Sequence, residues 1–277
     1  MVTVGKVSMR HRLLRAYRNA FDHPAKLRIY DWLRQMPIFR FPTARFEYGT
    51  FRLDILEFVQ NNMFLSGSWE PSTFRLFRDL VPVGGNVVDV GAHVGQFTIA
   101  AAAKVGPGGM VIGIEPNPST CAILLSNVEQ SQQTKVVRVV STPLSTGAEI
   151  ISFGTPPVWS TGLTRPRKDT TEAGFFVRAI TPSDLLQYFG MNNVDVMKID
   201  IEAHDLDVIS SLFETSTIRP HHILFEYIPD HFSYHISQEE ISNYFAHHGY
   251  KLFLVNGDPY LPTIRAIEDN LWACRTL

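Results

Sequence analysis

The sequence predicts an α/β fold: a doubly wound, mostly parallel sheet whose last two strands form an antiparallel pair, preceded by a helical N-terminal extension. Three observations predict it. Residues 86–117, NVVDVGAHVGQFTIAAAAKVGPGGMVIGIEPN, read as strand, glycine turn, helix, second strand and carboxylate. Strands and helices continue to alternate from there to residue 247. The last two strands, Tyr250 to Val255 and Leu271 to Arg275, are joined by a long turn holding Asn256-Gly257-Asp258-Pro259.

The extension comes first. Residues 1–52 carry 11 Lys/Arg against 3 Asp/Glu, a balance of +8, while the remainder carries 14 against 24, a balance of −10. Met9 to Leu33 is basic with an apolar stripe, and Pro24 divides it into two helices. Such a segment docks on its own domain, lies on a membrane or meets a partner, and the sequence leaves that partner unassigned. Phe46 to Leu53 predicts a hairpin around Gly49. Residues 54–62 lead through a turn at Gly67 to Trp69-Glu70-Pro71, with Pro71 suited to the first turn of a helix running to Leu80. The extension is placed at residues 1–66 and the main domain at 67–277.

In the central unit, Val87 to Val90 suits a buried parallel strand. Gly91 and Gly95 bend the chain, and Gln96 to Lys104 forms the helix, ended by Gly106-Pro107-Gly108-Gly109. Met110 to Ile114 is the next strand, and Asn117 caps a helix over Pro118 to Gln130. Strands follow at Lys135 to Val140, Glu149 to Phe153 and Phe175 to Ile180. Between the last two lies a long polar loop, Gly154 to Gly174, in the place of a lid, with Trp159 and Leu163 as its apolar groups. Thr181-Pro182 caps a helix to Phe189; strands are predicted at Val194 to Ile199 and His222 to Phe225, and Ser237 caps a helix to His247.

Glu115 follows the second strand of the central unit, 24 residues after Gly91, close to the roughly 20 expected for an acid that binds a ribose diol. The dinucleotide fingerprint G-x-G-x-x-G fails, because His93 and Gln96 stand where its second and third glycines belong, and no phosphate-binding P-loop run exists. An NAD-dependent oxidoreductase is disfavoured on that ground. The pattern D-x-G-x-x-x-G over Asp89 to Gly95, with Glu115 later, resembles motif I of class I S-adenosylmethionine (SAM) methyltransferases. That ligand carries no phosphate, and Asp89 suits its sulfonium and amino groups.

Asp89, Glu115, Asp200 with Glu202, and Glu226 all fall at the carboxyl ends of predicted strands, where open α/β sheets bind ligands. Asp200 and Glu202 point the same way if the strand continues. Paired carboxylates share a proton or hold a divalent cation, for which Asp200 and Glu226 are the candidates. His204 adds a group that titrates near neutrality and is a candidate base. The plainer reading is that Glu202 and Asp205 open a helix, where its dipole favours acids.

Taken together these marks resemble the FkbM family of SAM-dependent methyltransferases, from about Gly67 to Arg275. The segments are Trp69-Glu70-Pro71, Val88 to Phe97, Glu115-Pro116-Asn117-Pro118, Pro143-Leu144-Ser145, Lys198-Ile199-Asp200-Ile201-Glu202 and Ile223-Leu224-Phe225-Glu226. The resemblance implies a Rossmann-like class I methyltransferase sheet. It implies SAM held by Asp89, Gly91, Gly95 and Glu115 and closed by Glu70, with His93 and Asn117 beside it and Ser141 bordering the adenine. It also implies methyl transfer to a hydroxyl of a small molecule, a natural product or sugar, with Asp200, Glu202 and His204 as catalytic candidates. Three positions depart from the family pattern: His93 where Asn is usual, Ala203 where Gly is usual, and Asp205 where Glu is usual. The alternative is a non-catalytic SAM-binding scaffold.

Composition bounds the rest. At 277 residues the chain holds a sizeable core, and its net charge of −2 predicts no bulk attraction to nucleic acid. Cys121 and Cys274 lack metal-ligand spacing and are too few for a disulfide framework, which fits a reduced, cytoplasmic setting. No signal-peptide pattern opens the chain, and no apolar run reaches the roughly 18 residues a membrane span needs.

Overall fold

The computed structural model describes residues 7–20, 23–154, 166–167, 174–201, 204–227, 236–262 and 269–276. The extension forms helices α1 (Met9–Ala20), α2 (Lys26–Gln35) and α3 (Pro37–Arg40), then an antiparallel hairpin of β1 (Thr43–Arg45) and β2 (Thr50–Arg52). Its strands start earlier than the sequence predicts, leaving Phe46 to Gly49 as the turn, closed by Phe46 N–H donating to the Gly49 carbonyl. Helix α4 (Phe58–Ser66) follows, capped by the Glu57 carboxylate and ended by Gly67 at φ 94°. The sequence reads this stretch only as a lead into the Gly67 turn, and the structure makes it a helix. Helix α5 (Pro71–Leu80) leads to the central unit of β3 (Asn86–Val90), α6 (Gln96–Val105), β4 (Met110–Ile114) and α7 (Pro118–Gln130), as predicted to within a residue.

Strand β5 (Val137–Val140) completes one side of the main sheet. The next strands, β6 (Ile150–Gly154), β7 (Pro166–Arg167) and β8 (Gly174–Arg178), leave it and pair antiparallel in a separate three-stranded sheet. Pro166–Arg167 thus falls within the predicted loop; the rest of that loop, with Trp159 and Leu163, lies outside the described residues. Helix α8 (Pro182–Tyr188), β9 (Val196–Ile199), α9 (Asp205–Thr215), β10 (His222–Glu226), α10 (Gln238–His247), β11 (Tyr250–Leu254) and β12 (Asn270–Arg275) finish the chain. Thr181 with Asp184, and Ser237 with Glu240, form capping boxes that fix where α8 and α10 begin.

The main sheet runs β11-β12-β10-β9-β3-β4-β5. Every pairing from β10 to β5 is parallel, and β12 alone runs against its neighbours β10 and β11. The chain starts this sheet at β3 in its middle, adds β4 and β5 on one side and β9 and β10 on the other, and so opens a crevice at the carboxyl end of β3. One apolar core packs α5, α6 and α7 under one face and takes in Ala44, Phe46, Tyr48 and Phe51 of the hairpin. A second packs α8, α9 and α10 under the other face. The extension therefore shares the first core. It is also tied polarly to α7: Arg52 N–H donates to Asn127 Oδ1 at 2.9 Å, and Asn127 Nδ2 donates to the Val94 carbonyl at 2.9 Å, inside the glycine turn.

Candidate active site

The crevice is built on two glycines. Gly91 has φ +82°, and a Cβ there would meet the Asp200 carbonyl oxygen at 1.9 Å, so the turn after β3 lies directly against the chain leaving β9. Gly95 has φ +97° and would meet Leu124 of α7 at 2.6 Å. Both glycines are thus required by the protein's own packing. His93, between them, holds φ +49°.

Acids gather at the strand tips, as their spacing predicts. Asp89 is buried; Thr98 Oγ1 donates to its Oδ2 at 2.5 Å, while its Oδ1 accepts no hydrogen bond. Burial raises its pKa, opposed by Lys198 and Thr98. Glu115 is buried after β4, and two backbone amides fix its carboxylate: His93 N–H donates to Oε2 at 3.0 Å and Asn117 N–H to Oε1 at 2.8 Å. Burial nevertheless pushes its pKa up to about 7. Burial pushes the His93 imidazole down to about 4, against the pull of Asp200, which leaves the ring neutral. Asn117 caps α7 by accepting from Ser119 N–H at 3.0 Å. Ser141, exposed after β5, hydrogen bonds to Cys121 at the start of α7.

At the centre stands a cation that the sequence marks only as part of the Lys198-to-Glu202 segment. Lys198, in β9, is 1% exposed, yet its Nζ donates to Asp200 Oδ2 at 2.9 Å and lies 4.4 Å from the centroid of the Phe97 ring. Burial pushes its pKa down, but the carboxylates of Asp200, Asp89 and Glu70 outweigh burial and the net direction is upward. Lys198 is therefore charged and bridges the acids of neighbouring strand ends. The available signal was its spacing: Lys198 and Asp200 are two residues apart on an extended chain and share a side.

Glu70 reaches the same group from the helix cap. It begins α5 in the left-handed region at φ 43°, a conformation that costs a non-glycine residue roughly 1–3 kcal/mol. Its neighbour Trp69 is clamped at both backbone groups by Gln96: Trp69 N–H donates to Oε1 at 2.6 Å and Gln96 Nε2 donates to the Trp69 carbonyl at 3.0 Å. Gln96 thus joins the entry of α5 to the first turn of α6.

On the β9–β10 side, Asp205 is wholly buried and staples two strand exits. Its Oδ1 accepts from Glu226 N–H at 3.1 Å and its Oδ2 from Ile201 N–H at 3.4 Å. Burial, with the nearby Asp200 carboxylate, raises its pKa to about 7. The sequence reads this residue as an acid opening a helix and as a departure from the family pattern, where Glu is usual. His204 is placed apart from the buried cluster: its side chain is 43% exposed and its Nδ1 lies 3.1 Å from Asp207 Oδ2 on α9. Glu202 and Ala203 lie outside the described residues. Among the described residues, no group of three or more His, Cys, Asp and Glu side chains is gathered in a way that would hold a metal ion.

The chain is similar to known methyltransferases. Hexuronic acid methyltransferase AglP of Haloferax volcanii is 27% identical over 143 residues, covering 52% of this chain and 56% of that protein. The match thus spans about half the length of each. Among solved structures, a SAM-dependent O-methyltransferase from Thermotoga maritima aligns at 14% identity over 76% of this chain and 66% of that one, with a TM-score of 0.43. A precorrin-6y C5,15-methyltransferase from Geobacter metallireducens aligns at 13% identity over 75% and 90%, also at 0.43. The methyltransferase FkbM domain matches residues 89–252, from the buried aspartate of β3 into β11, and with more than half its length matched the chain belongs to the FkbM methyltransferase family.

Proposed function

We propose that this chain is a SAM-dependent methyltransferase that methylates a hydroxyl of a small polyhydroxylated molecule. The observation that carries the reading is the buried acid group at the carboxyl ends of β3 and β4. Asp89 Oδ1 is a buried acceptor without a hydrogen bond, and Glu115 is held ready by two backbone amides. An anionic site with an unused acceptor fits a ligand carrying a sulfonium, an ammonium and a ribose diol. When bound, SAM supplies a methyl group activated by sulfonium for in-line displacement by an oxygen.

The residues divide the work. Glu115 takes the ribose diol with the lone pairs its two amides leave over, and Asp89 and Glu70 face the cationic end. His93, neutral in its buried setting, adds no competing charge. Lys198 fixes Asp200 Oδ2, leaving the other Asp200 oxygen to orient the acceptor hydroxyl and take its proton. Glu202, two residues on, is the second candidate for that step, and His204 would first have to leave Asp207. A divalent cation on Asp200 and Glu226 would sit beside the Lys198 ammonium, whose repulsion disfavours it. Residues 67–277 are the proposed catalytic unit. The AglP substrate class makes hexuronic acids and their glycosides the first acceptors to test.

The test is the formation of S-adenosylhomocysteine and methylated product, read by mass spectrometry, with a panel of sugar acids and their neutral counterparts. Asp200→Asn and Glu202→Gln keep shape and remove charge. Loss of the true base should slow transfer about 10²–10⁴-fold and spare SAM affinity. His204→Ala should leave the rate near wild type. If both amide variants transfer at the wild-type rate, Asp200 and Glu202 are not the base. If SAM binds and no acceptor on the panel yields S-adenosylhomocysteine, the chain is a SAM-binding scaffold toward that substrate class.

A further inference from the structure

Helix α1 carries apolar side chains on two sides. At 3.6 residues per turn one arc holds Met9, Leu13 and Ala16, and the opposite arc holds Leu14 with His11, Arg15 and Arg18. The second arc faces the protein: Leu14 is buried in the first core and Tyr17 packs against it. His11 is buried, its ring nitrogens 2.7 Å from Ser8 Oγ and 3.2 Å from the Phe39 carbonyl. Arg15 Nε donates to the Leu65 carbonyl at 2.9 Å, and the Arg18 guanidinium lies 5.9 Å from the Tyr30 ring centroid. The arc of Met9, Leu13 and Ala16 faces out, with Met9 79% and Leu13 66% exposed, between the exposed Arg10 and Arg12. Helix α2 also exposes Leu27 and Trp32, about 140° apart around its axis, so they do not form one stripe.

We propose that the outer arc of α1 forms a docking face for an anionic lipid surface. Three features select that occupant. The face belongs to the part of the chain with a balance of +8, while the remainder carries −10. The molecule is thus polarised, and an anionic sheet attracts the basic end and repels the rest. A second copy would bring one basic face against another, which like-charge repulsion opposes. An apolar arc flanked by arginines is the composition that settles at the headgroup level, where arginine stems lie along the apolar layer and their heads reach lipid phosphates. Among the described residues no helix is long and apolar enough to cross a membrane, so the attachment proposed is peripheral. It is independent of the methyl-transfer reading.

The experiment is flotation of the full chain with vesicles of phosphatidylcholine, with and without phosphatidylglycerol, at low and high salt. The protein should float only with the anionic vesicles, and less at high salt. Arg10→Ala with Arg12→Ala should weaken binding about fivefold per arginine. Leu13→Glu should weaken it about tenfold or more by removing one buried leucine side chain from the lipid layer. These positions are exposed, so a thermal melt should match wild type. No flotation, equal flotation on both vesicle types, or flotation untouched by Leu13→Glu overturns the proposal. A dimer in light scattering that Leu13→Glu abolishes also overturns it and assigns the face to a second copy.

Discussion

Replacing Lys198 by methionine keeps the length and apolar stem of the side chain and removes its charge. The ammonium is 2.9 Å from Asp200 Oδ2, 4.4 Å from the Phe97 centroid, and the shared countercharge of Asp89 and Glu70. Removing one partner of a buried pair costs about 3–5 kcal/mol, because the other charges stay behind uncompensated. In a chain of this size each kcal/mol moves Tm by about 2–4 °C, so the expected drop is on the order of 10 °C. Its pH dependence carries the diagnosis. Burial already raises the Asp89 pKa, and loss of the cation raises it further. A raised acid contributes stability at low pH that disappears as pH climbs through the folded value. The Lys198→Met deficit should therefore be larger at pH 8 than at pH 5.5. Calorimetry at both values is the assay. A deficit below about 3 °C, or one equal at both pH values, refutes the claim that Lys198 neutralises these acids.

Glu115 gives a second pH-dependent outcome. Its pKa moves from 4.5 to about 7 on folding, so stability present below 4.5 is lost by pH 8, about 3 kcal/mol in all. Glu115→Gln should remove that share of the slope in denaturant titrations, leaving the similar share from Asp205. If Glu115 is the diol ligand, as proposed, SAM affinity should fall about tenfold from pH 8 to pH 6; calorimetric titration that finds no such fall argues against that role. Gly91→Ala puts a Cβ 1.9 Å from a backbone oxygen at φ +82°; with no flexible side chain to yield, the loss should exceed about 3 kcal/mol. A melt within about 2 °C of wild type would show that the β3 turn and the β9 exit are farther apart in solution.

Local pattern made the central unit legible. Its glycines, its caps and the two periodicities from β3 through α7 each act within a few residues, and so do the Thr181 and Ser237 caps. The acids at the strand ends were legible because the sheet topology follows from alternating elements. Three things were not. Helix α4 buries Gln60, Met63 and Phe64 while Phe58 stays exposed, and its cap is a glutamate, so neither stripe nor cap announces it. The departure of β6 and β8 into their own sheet depends on pairing Ile150 with Arg178, across a span of loop that local preference does not see. Lys198 and Asp205 read as ordinary charged residues at an element's end. Only the folded arrangement of β9 and β10 makes one a buried cation and the other a staple.

The contact between Gly91 and the Asp200 carbonyl would couple the two substrates of the proposed methyl transfer. The turn that precedes α6 and the segment that presents Asp200 touch backbone to backbone, with no side chain between them to absorb a displacement. If the cofactor stiffens the first, the second loses the same freedom, and the acceptor then binds to a segment whose ordering has already been met. Linkage makes this reciprocal: whatever factor SAM adds to acceptor affinity, the acceptor must add to SAM affinity. Such a pair of sites shows synergism at equilibrium, with each ligand sharpening the other's binding isotherm.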